Sequence, residues 1–163
     1  MGTGKSSVGR LLAEQFQFKF LDTDELIEQR AGKSIAQIFE QDGEAAFRKY
    51  EQDILQEIGE LKQVVISTGG GLGANPANLA SLKKHALVIC LWAPPQVVWQ
   101  RVRNQSHRPL LQTTDPQAKI RELLAEREPV YREADILVNT EVRSLKEVAQ
   151  HVGHEFYLAT RQR

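Results

Sequence analysis

A single cysteine occurs among 163 residues, Cys90, so no disulfide can close within the chain. It sits in the apolar run Leu87-Val88-Ile89-Cys90-Leu91 and reads as a packed thiol. Net charge of one sign is also missing, because Lys and Arg number 21 and Asp and Glu number 21. That balance gives nucleic acid and anionic membranes no general handle, and neither is an expected partner. No apolar stretch approaches the roughly 20 residues that span a bilayer, and no charged segment leads into a hydrophobic one as in a secretion signal. These absences predict a cytoplasmic protein. Repeats and low-complexity tracts are absent too, which excludes solenoids and arrays. What remains is ordinary globular composition, 41% hydrophobic and 26% charged, in a length that suits one domain over residues 1–163.

Four short apolar runs predict strands: 18–21, 64–66, 87–91 and 136–138. Between them lie stretches with helical periodicity, at 5–15, 24–31, 34–40, 44–58, 76–84, 94–103 and 116–132, and a last helix is expected from Ser144 to Val152. Pro76, Pro94 and Pro116 suit first helical turns, where a missing N–H costs nothing. Strands alternating with helices predict a parallel α/β sheet covered on both faces. The polar segment from about 104 to 115 contains Arg108 and lacks periodicity, so it is expected to be a lid loop. Trp92 and Trp99 are expected in or near the core, and Gly153 is expected to interrupt any helix joining His151 to His154. The four histidines form no convincing ligand set, and the tail beyond Gly153 carries no signal.

Met1-Gly2-Thr3-Gly4-Lys5-Ser6-Ser7 fits the second part of the phosphate-binding pattern G-x-x-x-x-G-K-S/T and runs straight into a helical stretch. In such a loop, backbone N–H groups at a helix N-terminus surround phosphate oxygens, Lys5 reaches the β- and γ-phosphates, and the Ser6 hydroxyl holds Mg²⁺. A glycine-rich turn that merely caps a helix would read the same in isolation. The pattern's first glycine would stand two positions before Met1, and the buried strand that leads into such loops would lie upstream.

Asp22-Thr23-Asp24 closes the first predicted strand, and ligands in open α/β sheets bind beyond the C-terminal strand ends. Asp24 is the candidate base for a substrate hydroxyl, and Asp22 the candidate to order the water shell of the metal. In the bland alternative Thr23 or Asp24 only caps a helix. Gly69-Gly70-Gly71 closes the second predicted strand, where close backbone approach to a ligand competes with a flexible connection. Arg48 and Glu51 are three apart on one helix face, which could be no more than a solvated ion pair. Arg108 and Arg127 could be solvated, or could hold phosphate or carboxylate bidentately.

Taken jointly, Gly-x-Gly-Lys-Ser, Asp22-Thr23-Asp24, Gly43-Glu44 to Phe47-Arg48-x-x-Glu51, Gly69-Gly70-Gly71, Arg108-Pro109-Leu110-Leu111 and Arg127-x-Pro-x-Tyr131 resemble shikimate kinases in order and spacing from Met1 to about Val152. The resemblance implies a three-layer P-loop kinase fold with strand order 2-3-1-4-5, strand 1 lying upstream of this sequence, and a lid. It implies that Asp24, Arg48, Gly70 and Arg127 hold shikimate, with both arginines on its carboxylate and Asp24 on its 3-hydroxyl. Gly2, Thr3, Gly4, Lys5, Ser6 and Ser7 would hold the ATP phosphates, with Mg²⁺ at Ser6 and Asp22. Arg101 would pack against adenine, Arg108 would close on the transferring phosphate, and Glu51 would orient Arg48. The implied activity is MgATP-dependent phosphorylation of shikimate by a monomer, on the route to chorismate. Alternatives are a gluconate-type or nucleotide kinase of the same general fold, or a ligand-binding fragment without turnover. Without its central strand the chain is expected to fold loosely, with a slot between the strands at 64–66 and 87–91.

Overall fold

Gly4, at φ 84°, turns the chain out of the glycine-rich loop into a helix, a left-handed conformation that a side chain would strain. In this computed structural model, residues 2–104 and 113–161 are described. Helix α1 (Lys5–Phe16) buries Val8, Leu12 and Ala13 along one face and ends at Gln17. Strand β1 (Lys19–Asp22) follows, and Asp22 then caps α2 (Thr23–Ala31) by accepting from the Asp24 N–H at 3.1 Å. Ser34 and Gln37 form a reciprocal capping box on α3 (Ile35–Gln41), which leads to α4 (Gly43–Ile58). Strand β2 (Val64–Ser67) is followed by a 3₁₀ turn at Leu72–Ala74 and by α5 (Pro76–Lys83), capped by Asn75. The remaining elements are β3 (Ile89–Trp92), α6 (Pro95–Val102), α7 (Pro116–Tyr131), β4 (Ile136–Asn139) and α8 (Leu145–Arg161).

All four expected strands form and each runs one residue further than expected; β1 starts one residue late, β3 two, and β2 and β4 start where expected. Pro94 lies outside α6 as its N-cap and Pro95 takes the first turn. The final helix runs nine residues beyond Val152, to Arg161, so the expectation for the tail was too short. Gly153 does not interrupt it, because the helix needs a small residue there: an added Cβ would come within 2.8 Å of the Gln15 amide on α1. Trp99 packs beside Val98 and Val102, whereas Trp92 is 43% exposed at the end of its strand.

The sheet is in two parts. β1 pairs with β2 in parallel, Asp22 opposite Ser67, and β3 pairs with β4 in parallel, Trp92 opposite Asn139. β2 and β3 are not hydrogen-bonded to each other. An apolar cavity of about 490 Å³, lined by Val64, Val65 and Ile66 on one side and Ile89 and Leu91 on the other, separates them where the slot was expected. The halves nonetheless share one core, since Val65, Ile89 and Leu91 all pack on the cluster of Val8, Leu12, Val138, Val148 and Val152 from α1, β4 and α8. A second cluster, Ile27, Ile38, Phe47, Ile54, Ile58 and Leu72, joins α2, α3 and α4 to the turn after β2. It holds the segment following β2 against α4, and so sets the geometry described next.

Ile54 is fully buried in that second cluster. Ile54→Ala is expected to lower unfolding free energy by about 2–5 kcal/mol, read from denaturant midpoints at unchanged slope.

Candidate active site

Strand register brings the chemistry together. Asp22 and Ser67 end adjacent parallel strands, and Ser6, at the start of α1, reaches both: its hydroxyl donates to Asp22 Oδ2 at 2.7 Å and lies 3.3 Å from Ser67 Oγ. Two hydroxyls and one carboxylate at this spacing form an all-oxygen donor set, the hard ligands that suit Mg²⁺ with phosphates and waters completing the shell. Among the described residues no cluster of three or more His, Cys, Asp or Glu side chains could hold an ion on its own. Asp22 therefore has two tasks, capping α2 and facing Ser6. Neither Thr23 nor Asp24 is the cap, because the Thr23 hydroxyl accepts instead from the Gly69 N–H at 2.9 Å. That buried bond ties β1 to the glycine run.

The glycine run is where charged groups converge. A Cβ on Gly69 would stand 2.4 Å from Asp24 Oδ1, one on Gly70 would stand 3.2 Å from an Arg127 Nη, and one on Gly71 would stand 2.5 Å from an Arg48 Nη. None of the three has a positive φ, so conformational freedom is not the reason for the glycines. Instead the bare backbone leaves room for the ends of the Asp24, Arg127 and Arg48 side chains to lie directly on it. Arg48 is held in turn by Glu51 Oε2 at 2.7 Å and Glu44 Oε1 at 2.7 Å. Burial pulls its pKa down, but the bonds to Glu51 and Glu44 outweigh this and hold the guanidinium above its usual value. Glu51 is buried, so this is more than the solvated ion pair that the spacing alone allowed.

Burial, reinforced by the neighbouring Asp22 charge, pushes the Asp24 carboxyl up to about 6, with Lys5 pulling in the opposite direction. A carboxyl poised there is matched to proton transfer near neutral pH.

A cleft of about 1170 Å³ runs from Gly2–Ser7 past Asp22 and Asp24 to Arg48, the glycine run and Arg127. Arg101 enters it from α6, held by Thr140 through bonds of 2.9 Å to the hydroxyl and 2.6 Å to the carbonyl. Of the expected site residues, Arg108 lies outside the described residues, and all the others line this one cleft. Ser67, Thr23 and Thr140 were missed, although each stands at or just after a strand's C-terminal end, the position that pointed to Asp24.

A phosphate loop, Lys5 and Ser6 at the head of the first helix, and a cleft across the C-terminal strand ends define a P-loop kinase. The chain matches the family model for shikimate kinase over residues 1–156. It is 45% identical to a shikimate kinase of Caldanaerobacter subterraneus subsp. tengcongensis over 93% of this chain and 89% of that one. It is 47% identical to one from Thiobacillus denitrificans over 89% and 80%. The solved shikimate kinase of Acinetobacter baumannii in complex with shikimate superposes with a TM-score of 0.92 at 38% identity, covering 100% of this chain and 91% of that one. A gluconokinase from Sinorhizobium meliloti, at 16% identity and TM-score 0.60, shares the fold alone. The chain belongs to the shikimate kinase family.

The raised Asp24 pKa carries a stability consequence whose sign is fixed. A carboxyl titrating near 6 when folded and near 3.8 when unfolded loses stability as pH rises between those values. Asp24→Asn is therefore expected to be more stable than the parent at pH 8, by up to about 3 kcal/mol, and equal to it near pH 3.5, as thermal unfolding at the two pH values will read.

Proposed function

We propose that this chain is an ATP:shikimate 3-phosphotransferase, which transfers the γ-phosphoryl group of ATP to the 3-hydroxyl of shikimate and contributes to chorismate and aromatic amino acid synthesis. The observation that carries the site reading is the convergence of Asp24, Arg127 and Arg48 on three bare glycines beside a phosphate loop. Two arginines and one acid suit a small hydroxy-carboxylate better than a nucleobase. Arg48 and Arg127 hold the substrate carboxylate and Gly70 offers its backbone. Asp24 accepts the proton of the attacking hydroxyl, the role that a pKa of about 6 favours. Gly2 to Ser7 cradle the phosphates with their backbone N–H groups, and Lys5 neutralises charge on the transferring group. Ser6 and Asp22 would hold Mg²⁺, which when bound screens the phosphate charges. Arg101, fixed by Thr140, flanks adenine. Arg108, outside the described residues, is assigned to the transferring phosphate and the lid about 104–115 on the resemblance alone.

The pairing of β1 with β2 and of β3 with β4 supports the strand order 2-3-1-4-5, with the apolar groove at the place of strand 1. Residues 1–163 are proposed to act as one domain and as a monomer, since one chain supplies every group named. A cytoplasmic setting agrees with the lone cysteine and with the absence, among the described residues, of a helix long and apolar enough to cross a membrane.

The decisive experiment is a coupled assay of ADP release with shikimate and MgATP. Turnover is expected, with kcat/KM for shikimate falling below about pH 6 as Asp24 takes up its proton. Asp24→Asn should nearly abolish turnover while leaving nucleotide binding intact; unchanged turnover would remove the base assignment.

The carboxylate clamp is tested separately. Arg48→Leu and Arg127→Leu should each weaken shikimate binding by about 1.5–3 kcal/mol, the scale of a charged hydrogen bond, and should leave ATP affinity unaltered in a calorimetric titration. Loss of ATP binding with normal shikimate binding would show the arginines to serve the other substrate.

A further inference from the structure

We infer that Tyr131 is a positioning residue of the acceptor side of the cleft, pinning the glycine run beside Arg127 through its phenolic hydroxyl. The inference rests on the shikimate-site reading above. Tyr131 stands one helical turn beyond Arg127 at the end of α7, and its hydroxyl donates to the Gly70 carbonyl at 2.8 Å across 61 residues of sequence. The Arg127 guanidinium lies beside it over the same residue. Both groups lie over Gly70, the guanidinium 3.2 Å and the hydroxyl 3.6 Å from where a Cβ would sit.

The tyrosine hydroxyl thus pins the Gly70 carbonyl at the point where the Arg127 guanidinium lies on the backbone. Burial pushes the phenol further up from its already high pKa, so it stays protonated and remains a donor over the whole working pH range. The carbonyl it holds belongs to the peptide between Gly70 and Gly71, so the bond fixes that peptide plane. Arg127 lies over Gly70 at one end of this peptide and Arg48 over Gly71 at the other. The tyrosine thereby restrains the stretch of backbone on which two guanidinium groups, from α7 and α4, lie. A glycine run has no side chains to pin it, which is why the restraint has to come from outside.

Tyr131→Phe removes only the hydroxyl. Titration of the variant with shikimate, and separately with MgADP, is expected to show shikimate affinity lower by about 5- to 20-fold and MgADP affinity unchanged. In the steady state, KM for shikimate should rise more than kcat falls. Thermal unfolding monitors the fold, and in the parent protein the Gly70 carbonyl carbon and the Tyr131 ring resonances should shift together when shikimate is added. Equal shikimate affinity in Tyr131→Phe and the parent would overturn the inference, as would a Gly70 response with no Tyr131 response. If the parent itself binds no shikimate, the reading of the site falls first and this inference with it. An equal loss for both ligands would reduce Tyr131 to packing and overturn its positioning role.

Discussion

The close approach of charged side chains to a side-chain-free stretch of backbone is the constraint on which the site depends. At Gly69, Gly70 and Gly71 a single methyl group would collide with Asp24, crowd Arg127 or collide with Arg48. Glycine costs conformational entropy in the unfolded chain, and three in succession cost more. The return is a surface onto which an acid from α2, an arginine from α4 and an arginine from α7 are brought with no intervening atoms. Support comes from behind: Glu51 and Glu44 hold Arg48, and the Thr23 hydroxyl anchors the Gly69 amide.

The second organising element is Ser6, which joins the head of α1 to the ends of β1 and β2. Its bond to Asp22 places the phosphate loop beside the same strand end that turns into α2, and so beside Asp24. The acid and the phosphate loop are thus fixed by one short hydrogen-bonded unit rather than by separate parts of the fold. The energetic cost appears in Asp24, where burial and the Asp22 charge disfavour the ionised carboxylate. Stability given up at a functional position is a common feature of active sites.

The core shows how the two halves of the sheet remain one unit. β2 and β3 share no hydrogen bonds, yet both pack on the cluster built by α1, β4 and α8. Side-chain burial links them because dispersion and the hydrophobic effect need only proximity, whereas a β-ladder needs neighbouring backbones. The apolar groove between the halves is lined by the faces that such packing leaves over.

Much of this was determined by the sequence alone. Periodicity and strand-end signals located every strand and helix to within a few residues, apart from the second half of α8, where Gly153 looked like a breaker. A glycine is neutral as a signal until its neighbours are known, and here Gln15 on α1 demands it. The order of motifs from Gly2 to Tyr131 was sufficient to identify the family, because phosphate loops, acids at strand ends and glycine runs are local in sequence. Tertiary structure alone decided which contacts each residue makes. Arg48 with Glu51 was equally an idle surface pair, Thr23 or Asp24 equally a mere helix cap, and Tyr131 a motif letter without a task. Those choices depend on contacts across tens of residues, Ser6 to Ser67, Thr23 to Gly69 and Gly70 to Tyr131, and such distances are set by how helices pack on strands, which no local pattern encodes.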